Sequence, residues 1–217
     1  MERSGTSLPQ GRSTTSTHTD ASAGDDAGIG AGKQALPGTQ RDVEKWDIFY
    51  YVYGLLHHPE YRTKYAANLR RELPRVPISP DFWAISALGK QLADLHVGYE
   101  SVKEYPLEQV WRPGSVLNTV VEKMKLTKDK TGIVYNADLT LTGIPAAAFE
   151  CRLGNRSAID WIIDQYQVST DKRSGIVNDP NREDDEMYVI ELIGKVVAVS
   201  LETVRIVGEI AGLRLGE

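Results

Sequence analysis

NRSAIDWIIDQYQVSTDKRSGIVNDPN, residues Asn155 to Asn181, is the stretch from which the rest of the chain is read. Its first half puts Ile159, Ile162 and Ile163 on one side and Asp160 and Asp164 on another, the three-to-four-residue spacing of a short amphipathic helix. Its second half is a polar loop holding Lys172, Arg173, Gly175, Asn178 and Asn181. An apolar anchor followed by polar fingers suits a scaffold that presents donors and acceptors to a large polar partner, because a fixed element positions a loop better than another loop does. By itself the pattern names no partner.

Beyond this stretch comes an acidic run, Glu183-Asp184-Asp185-Glu186, then apolar residues at 189, 192, 193, 196, 199, 203/204 and 207. That period predicts a long helix over Val189–Ile210, and four acids ahead of it suit a helix N-terminus. It is expected to lie as a lid on the core of the helices near the start of the chain. Before the stretch, Val120–Leu126, Thr131–Asn136 and Leu139–Gly143 alternate β-branched with polar residues, with a turn at Asn136-Ala137-Asp138. They predict a small antiparallel meander. Its first strand and turn carry Lys123, Lys125, Lys128 and Lys130, with Lys123 and Lys125 on one strand face. From Tyr105-Pro106 to the Pro113-Gly114 turn the signal is weak and reads as loop.

Further back, Trp46, Phe49, Tyr50, Tyr53 and Leu56 recur at helical spacing until the His58-Pro59 step, which starts a second helix with Tyr61, Tyr65 and Leu69 at four-residue intervals. Pro74-Arg75-Val76-Pro77 must be extended. A third helix opens at Ser79-Pro80, with Phe82, Ile85, Leu88, Leu92, Leu95 and Tyr99 as its apolar face. The fold class is therefore α+β. A helical unit spans 42–100, the meander with its helix and loop spans 101–182, and the last helix spans 183–210. Residues 1–41, rich in Ser, Thr, Gly and Ala, show no hydrophobic period and read as a disordered tail, since ordering each residue costs ~1–2 kcal/mol of backbone entropy with little apolar area to offset it. Residues 211–217 read as a short tail.

The 217 residues are 41% hydrophobic with a formal net charge of −5. They can bury a real core but are not a chain whose whole surface grips nucleic acid, so any such contact must be local. The single cysteine, Cys151, cannot form an internal disulfide, and no signal peptide or apolar run of transmembrane length is found. A cytoplasmic protein with no membrane contact is expected.

Catalytic signatures are not found. There is no G-x-x-x-x-G-K-[ST] phosphate loop and no Asp-x-Lys or Glu-x-Lys triplet of a metal-dependent nuclease. Asn178-Asp179-Pro180-Asn181 superficially resembles the N-P-P-Y tetrapeptide of adenine methyltransferases, but lacks the aromatic residue that stacks on a flipped base, and reads as a turn. His57 and His58 are adjacent and diverge, which suits capping and packing better than a shared metal. His96 lies late in its helix, where the dipole favours the imidazolium, and structural use is the better reading of it. No catalytic residue, metal ligand or cofactor is assigned. What remains is phosphate chemistry at Lys123, Lys125, Lys128, Lys130, Lys172 and Arg173, with Gly175 allowing close backbone approach, and Asn178 and Asn181, which have the donors and acceptors to read adenine. A solvated surface and turn-forming asparagines are the ordinary explanations of the same residues.

WDIFYYVYGLLHHPEYRTKYAANLRRELPRVP, DFWAISALGKQLADLHVGYES, IVYNADLTLTGIP, SAIDWIIDQYQVSTDKRSGIVNDPN and MYVIELIGKVVAVSLETVRIV, in that order over residues 43 to 208, resemble the C-terminal specificity region of type ISP restriction-modification enzymes. In that family one polypeptide joins a nuclease, a helicase-like ATPase, an N6-adenine methyltransferase and this region, which selects the DNA sequence. The resemblance implies a target-recognition module for double-stranded DNA without the nuclease, ATPase/translocase and methyltransferase parts, and not an enzyme as an isolated chain. It carries over no residue-level contact. The alternative is an interaction subunit or gene remnant that docks on a separate methyltransferase or translocase polypeptide and does not hold DNA alone, with an orphaned apolar patch expected around Trp46, Phe49 and Tyr53.

Overall fold

The computed structural model describes residues 42–71 and 74–216; the tail expected over 1–41 lies outside the described residues. Helix α1 (Lys45–His57) starts at a capping box, in which Asp47 answers the Glu44 N–H, and it ends where Pro59 opens α2 (Pro59–Lys64). Tyr65 interrupts the second predicted helix, so its remainder is the single turn α3 (Ala66–Leu69). Helix α4 (Phe82–Val97) follows two residues later than the Ser79-Pro80 signal. Ser79 still serves that end, because its Oγ accepts from the Asp81 N–H at 2.8 Å.

Helices α1 and α4 pack backbone to backbone. A Cβ built on Gly89 would lie 1.9 Å from the Tyr50 carbonyl oxygen, and one on Gly54 would lie 2.7 Å from that of Ile85. Only glycine permits this approach. Beside it, Tyr51 stacks on Phe82 at 4.5 Å, and its buried hydroxyl donates to Pro77 O (2.6 Å) while accepting from Ser79 N (2.9 Å). Those bonds hold the extended Pro74–Pro77 segment across the helices. Residues 213 and 214, read from sequence as tail, close the same corner. Leu213 O pairs with His58 Nε2 at 3.1 Å, Ser79 Oγ donates to Arg214 O at 2.6 Å, and the Asp81 carboxylate takes the Arg214 guanidinium.

The meander is present and gains a strand. Strands β1 (Glu108–Trp111), β2 (Lys125–Leu126), β3 (Gly132–Val134) and β4 (Leu139–Thr142) form one antiparallel sheet ordered β1-β4-β3-β2. Strand β1 falls in the segment read as loop. It is an edge strand with only Trp111 half-buried, so it carries no in-out alternation to read. The expected strand over Val120–Leu126 shrinks to two residues, since Val121 and Met124, three apart, are the pair that points inward. A 3-10 turn (Ala146–Glu150) and a tight hairpin of β5 (Arg152–Leu153) with β6 (Arg156–Ser157) lead into α5 (Ala158–Gln165). Asp160 completes a capping box with Ser157 at the start of α5. Within the predicted loop, β7 (Ser169–Thr170) and β8 (Val177–Asn178) pair as another hairpin.

Helix α6 (Tyr188–Ala211) is the predicted last helix. Its first half, through Val189, Ile190, Leu192, Ile193 and Val197, packs in one core with Ile133, Tyr135, Leu139 and Leu141 of the sheet region and Ile159 and Ile162 of α5. Its second half, through Ile206 and Ile210, packs with Leu92 of α4. It is thus a shared wall of two cores and more than a lid on one.

Two glycine replacements should move stability in opposite directions. Gly89→Ala pushes a methyl into the Tyr50 carbonyl and should lower unfolding free energy by about 1–3 kcal/mol or more. Gly208→Ala in α6 meets nothing within 4 Å and should raise it by up to about 1 kcal/mol through helix propensity. Urea unfolding of both variants measures the pair.

Candidate nucleic-acid interface

The hairpin of β7 and β8 stands away from both cores: every residue from Val168 to Asp179 is exposed. An isolated two-stranded ribbon is marginal in water, so its shape must come from local polar bonds. At the tip, the Asp171 Oδ1 accepts from the Arg173 N–H (2.9 Å), the Ser174 N–H (2.7 Å) and the Ser174 hydroxyl (2.9 Å). Gly175, at φ 71°, closes the turn with its N–H on Asp171 O at 2.8 Å. These bonds, those of Ser174 first and then that of Arg173, hold the Asp171 carboxyl below its ordinary 3.8. Lys172 and Arg173 are therefore carried on a shaped turn.

The foot is tied to the lysine-bearing segment. Val168 N donates to Glu122 O at 3.0 Å, and the Asn181 side-chain amide pairs with the Val121 backbone in both directions, Val121 N to Oδ1 and Nδ2 to Val121 O, each at 2.9 Å. The second Nδ2 hydrogen goes to Asp179 Oδ1 at 2.8 Å. Both amide hydrogens of Asn181 are engaged within the chain, so it splices the two segments. Asn178 lies at the foot too, but its Nδ2 reaches Gln165 O and Gln167 O only at 3.5 and 3.4 Å, the limit of a hydrogen bond.

In the turn between β2 and β3, Asp129 plays the part Asp171 plays in the hairpin. It accepts from the Thr127 hydroxyl (2.6 Å) and the Thr131 hydroxyl (2.8 Å), which hold its carboxyl low. Lys128 and Lys130 project from this turn, exposed. Lys130 has φ 58°, a left-handed conformation that costs a non-glycine residue of order 1–3 kcal/mol. Lys123 precedes β2 and does not share a strand face with Lys125; it lines a shallow groove with Arg156, Asp160 and Asp164. Among the described residues none of the six cations forms an ion pair, whereas neighbouring Arg156 is held by Asp164 at 2.9 Å.

A second place is concave. A cleft of about 610 Å³ is lined by Tyr53, His57, His96, Cys151 and Thr203 with valines of α6. His96 bonds Tyr53 OH at 2.7 Å and Thr203 Oγ1 at 2.8 Å. Burial first, then His57, pushes its imidazole down, the reverse of the dipole-favoured imidazolium expected from sequence. Burial also lowers His57 and raises the Cys151 thiol. These are groups engaged in packing and hydrogen bonds, and among the described residues no group of three or more His, Cys, Asp or Glu could hold a metal ion. No helix among them is long and apolar enough to cross a membrane.

The model of the Type ISP C-terminal specificity domain matches residues 5–192. The chain belongs to that family. No curated protein matches it. Among solved structures, this specificity domain is similar to a nuclease-deletion mutant of the Type ISP restriction-modification enzyme LlaGI in complex with a DNA substrate mimic, at 38% identity and TM-score 0.71 over 82% of this chain and 14% of that one. It is similar to the ATP-dependent Type ISP restriction-modification enzyme LlaBIII bound to DNA, at 37% identity and TM-score 0.73 over 83% and 12%. A third likeness is to the DrdV–DNA complex, at 39% identity and TM-score 0.66 over 77% and 18%. The Type ISP specificity domain described here thus spans 12–18% of those chains, and no catalytic domain is evident in it.

Two outcomes follow from the geometry. Asn181→Ala strips partners from the Val121 backbone and should cost about 1–3 kcal/mol in urea unfolding, whereas a residue that only read bases would leave stability unchanged. Because the Asp171 pKa is depressed, the turn it organises is fully held above 3.8 and is lost as pH falls through the lower folded value. The Arg173 and Ser174 amide resonances should shift together with an Asp171 midpoint below 3.8; a midpoint at or above it, with those amides unmoved, contradicts the reading.

Proposed function

We propose that this chain recognises a sequence in double-stranded DNA and carries no chemistry of its own, leaving cleavage, translocation and methylation to other parts of a type ISP restriction-modification system. The observation that carries the proposal is the fully exposed hairpin, turned by Asp171 and Gly175, with Lys172 and Arg173 at its tip in no ion pair among the described residues. A two-stranded ribbon fits the major groove of B-DNA, about 12 Å wide. The three similar structures described above, each named with DNA, support the same reading. Lys172 and Arg173, with Lys123, Lys125, Lys128 and Lys130 from the adjoining segment, neutralise phosphates and set register; Asn178 is the remaining asparagine for a base edge. Neither metal nor cofactor is needed for this role. With a net charge of −5, the contact is confined to this basic face.

A second reading has its own observation. On α1, Trp46 is 64% and Phe49 50% exposed, with Ile48 beside them, while Tyr53, expected in the same patch, is turned inward onto His96. Such a face suits docking on a separate methyltransferase or translocase polypeptide. Selection of the purified chain on a pool of random duplexes at moderate salt separates the two: an enriched motif supports autonomous recognition, whereas no DNA retention together with co-purification of a methyltransferase supports docking. For the leading reading, Lys172→Ala with Arg173→Ala should weaken binding and reduce the steepness of log affinity against log salt by about 1.8, two phosphate contacts' worth. An unchanged slope removes both residues from the interface.

A further inference from the structure

Beside the two cations, the hairpin tip carries two aliphatic side chains for which the fold has no use. Ile176 is 69% and Val177 59% exposed. Single exposed aliphatics are ordinary on protein surfaces, but these two are consecutive and sit on a ribbon with no buried residue from 168 to 179. Val177 pairs with Thr170 across the strands, and Ile176 O takes the Asp171 N–H at 2.9 Å. Val177 opens β8 and Ile176 stands immediately before it, so the two adjoin along the chain at the end of the ribbon that carries the cations. The cations at the same tip, without acidic partners among the described residues, suit a groove with anionic rims. Neither Ile nor Val has a hydrogen-bonding side-chain atom, and the one apolar feature on a major-groove base edge is the 5-methyl group of thymine.

We propose that Ile176 and Val177 select a T·A pair by packing against the thymine 5-methyl group in the major groove. The inference rests on the DNA-recognition reading above and names the chemistry of one of its base contacts. The turn bonds of Asp171 hold the tip in one shape before DNA arrives, which is what a contact worth a single methyl group needs in order to discriminate.

The test uses the full chain. Once a motif has been selected from random duplexes, each thymine in it is replaced singly by deoxyuridine, which removes the methyl and keeps every hydrogen-bonding atom. At one or two positions the replacement should weaken binding about fourfold, the factor expected for one methyl group returned to water. Ile176→Ser and Val177→Ser remove every side-chain methyl group, which threonine would retain as a partner for the thymine methyl, at positions outside both cores. One of them should abolish the deoxyuridine penalty at its position while the salt dependence stays as in the parent chain. Deoxyuridine duplexes that bind as well as the thymine duplex, a penalty that persists in both variants, or a motif without thymine each overturn the inference while leaving DNA recognition standing. If no motif is enriched, both fall.

Discussion

Burial of one stripe of α6 is the constraint on which the structure depends. At 24 residues the helix is about 36 Å long, enough to pass from the core under the sheet to the core between α1 and α4. Its sequence is rich in Val and Ile, which are indifferent helix formers, so the helix is held by what it packs against more than by its own propensity. Val189, Ile190, Ile193 and Val197 serve one core and Ile206 and Ile210 the other. The sheet, α5 and the helical unit keep their positions because they share this wall. Arg205, bracketed by Glu202 and Glu209 on the exposed side, keeps the opposite face of the same helix in water.

The hairpin obeys a different rule. No residue from 168 to 179 contributes to either core, and its shape comes from the Asp171 turn and from the Asn181–Val121 splice at its foot. Substitutions on such a surface ordinarily change stability by less than about 0.5 kcal/mol. The residues suited to touching a target can therefore vary without unfolding the platform that aims them. A packed scaffold is thus separated from a locally bonded finger, and the two can change independently.

How far each part was legible in the sequence follows from where its stabilising bonds run. The helices could be read because apolar residues recur at helical spacing, with Ile159, Ile162 and Ile163 in α5 and 189 to 207 in α6 forming buried or half-buried stripes, although in α1 the residues that carried the period, Trp46 and Phe49, are exposed and Tyr51 and Leu55 are buried instead. Strand β1 could not, because an edge strand with one half-buried residue has no alternation, and its pairing with β4 is a fact about Leu139–Thr142 more than about itself. The β7–β8 hairpin was hidden for the same reason, although Gly175 after Lys172-Arg173-Ser174 was its one local signal. In the candidate interface the cations were legible as charges, and their lack of ion pairs was not. Asn181 shows the limit most sharply. Its amide chemistry fits an adenine edge and a backbone equally well, and its pairing with Val121, sixty residues earlier, is set by the fold and by no local pattern. The partners of His96, Tyr53 on α1 and Thr203 on α6, are likewise set by the fold and not by its own helix.

Charge completes the account of how a protein of net −5 can meet a polyanion. Past the hairpin, a groove is lined by Asp179, Glu183, Asp185 and Glu186 against one cation, Arg182, whereas Lys172, Arg173, Lys128 and Lys130 occupy the two turns. With a screening length of about 8–10 Å at ordinary salt, a phosphate near the turns feels those cations, and one near the groove feels the acids. In the proposed binding mode a duplex that engaged the turns would be repelled from the groove, so the acidic surplus would restrict orientation and not oppose binding uniformly, and orientation must be settled before base edges can be compared.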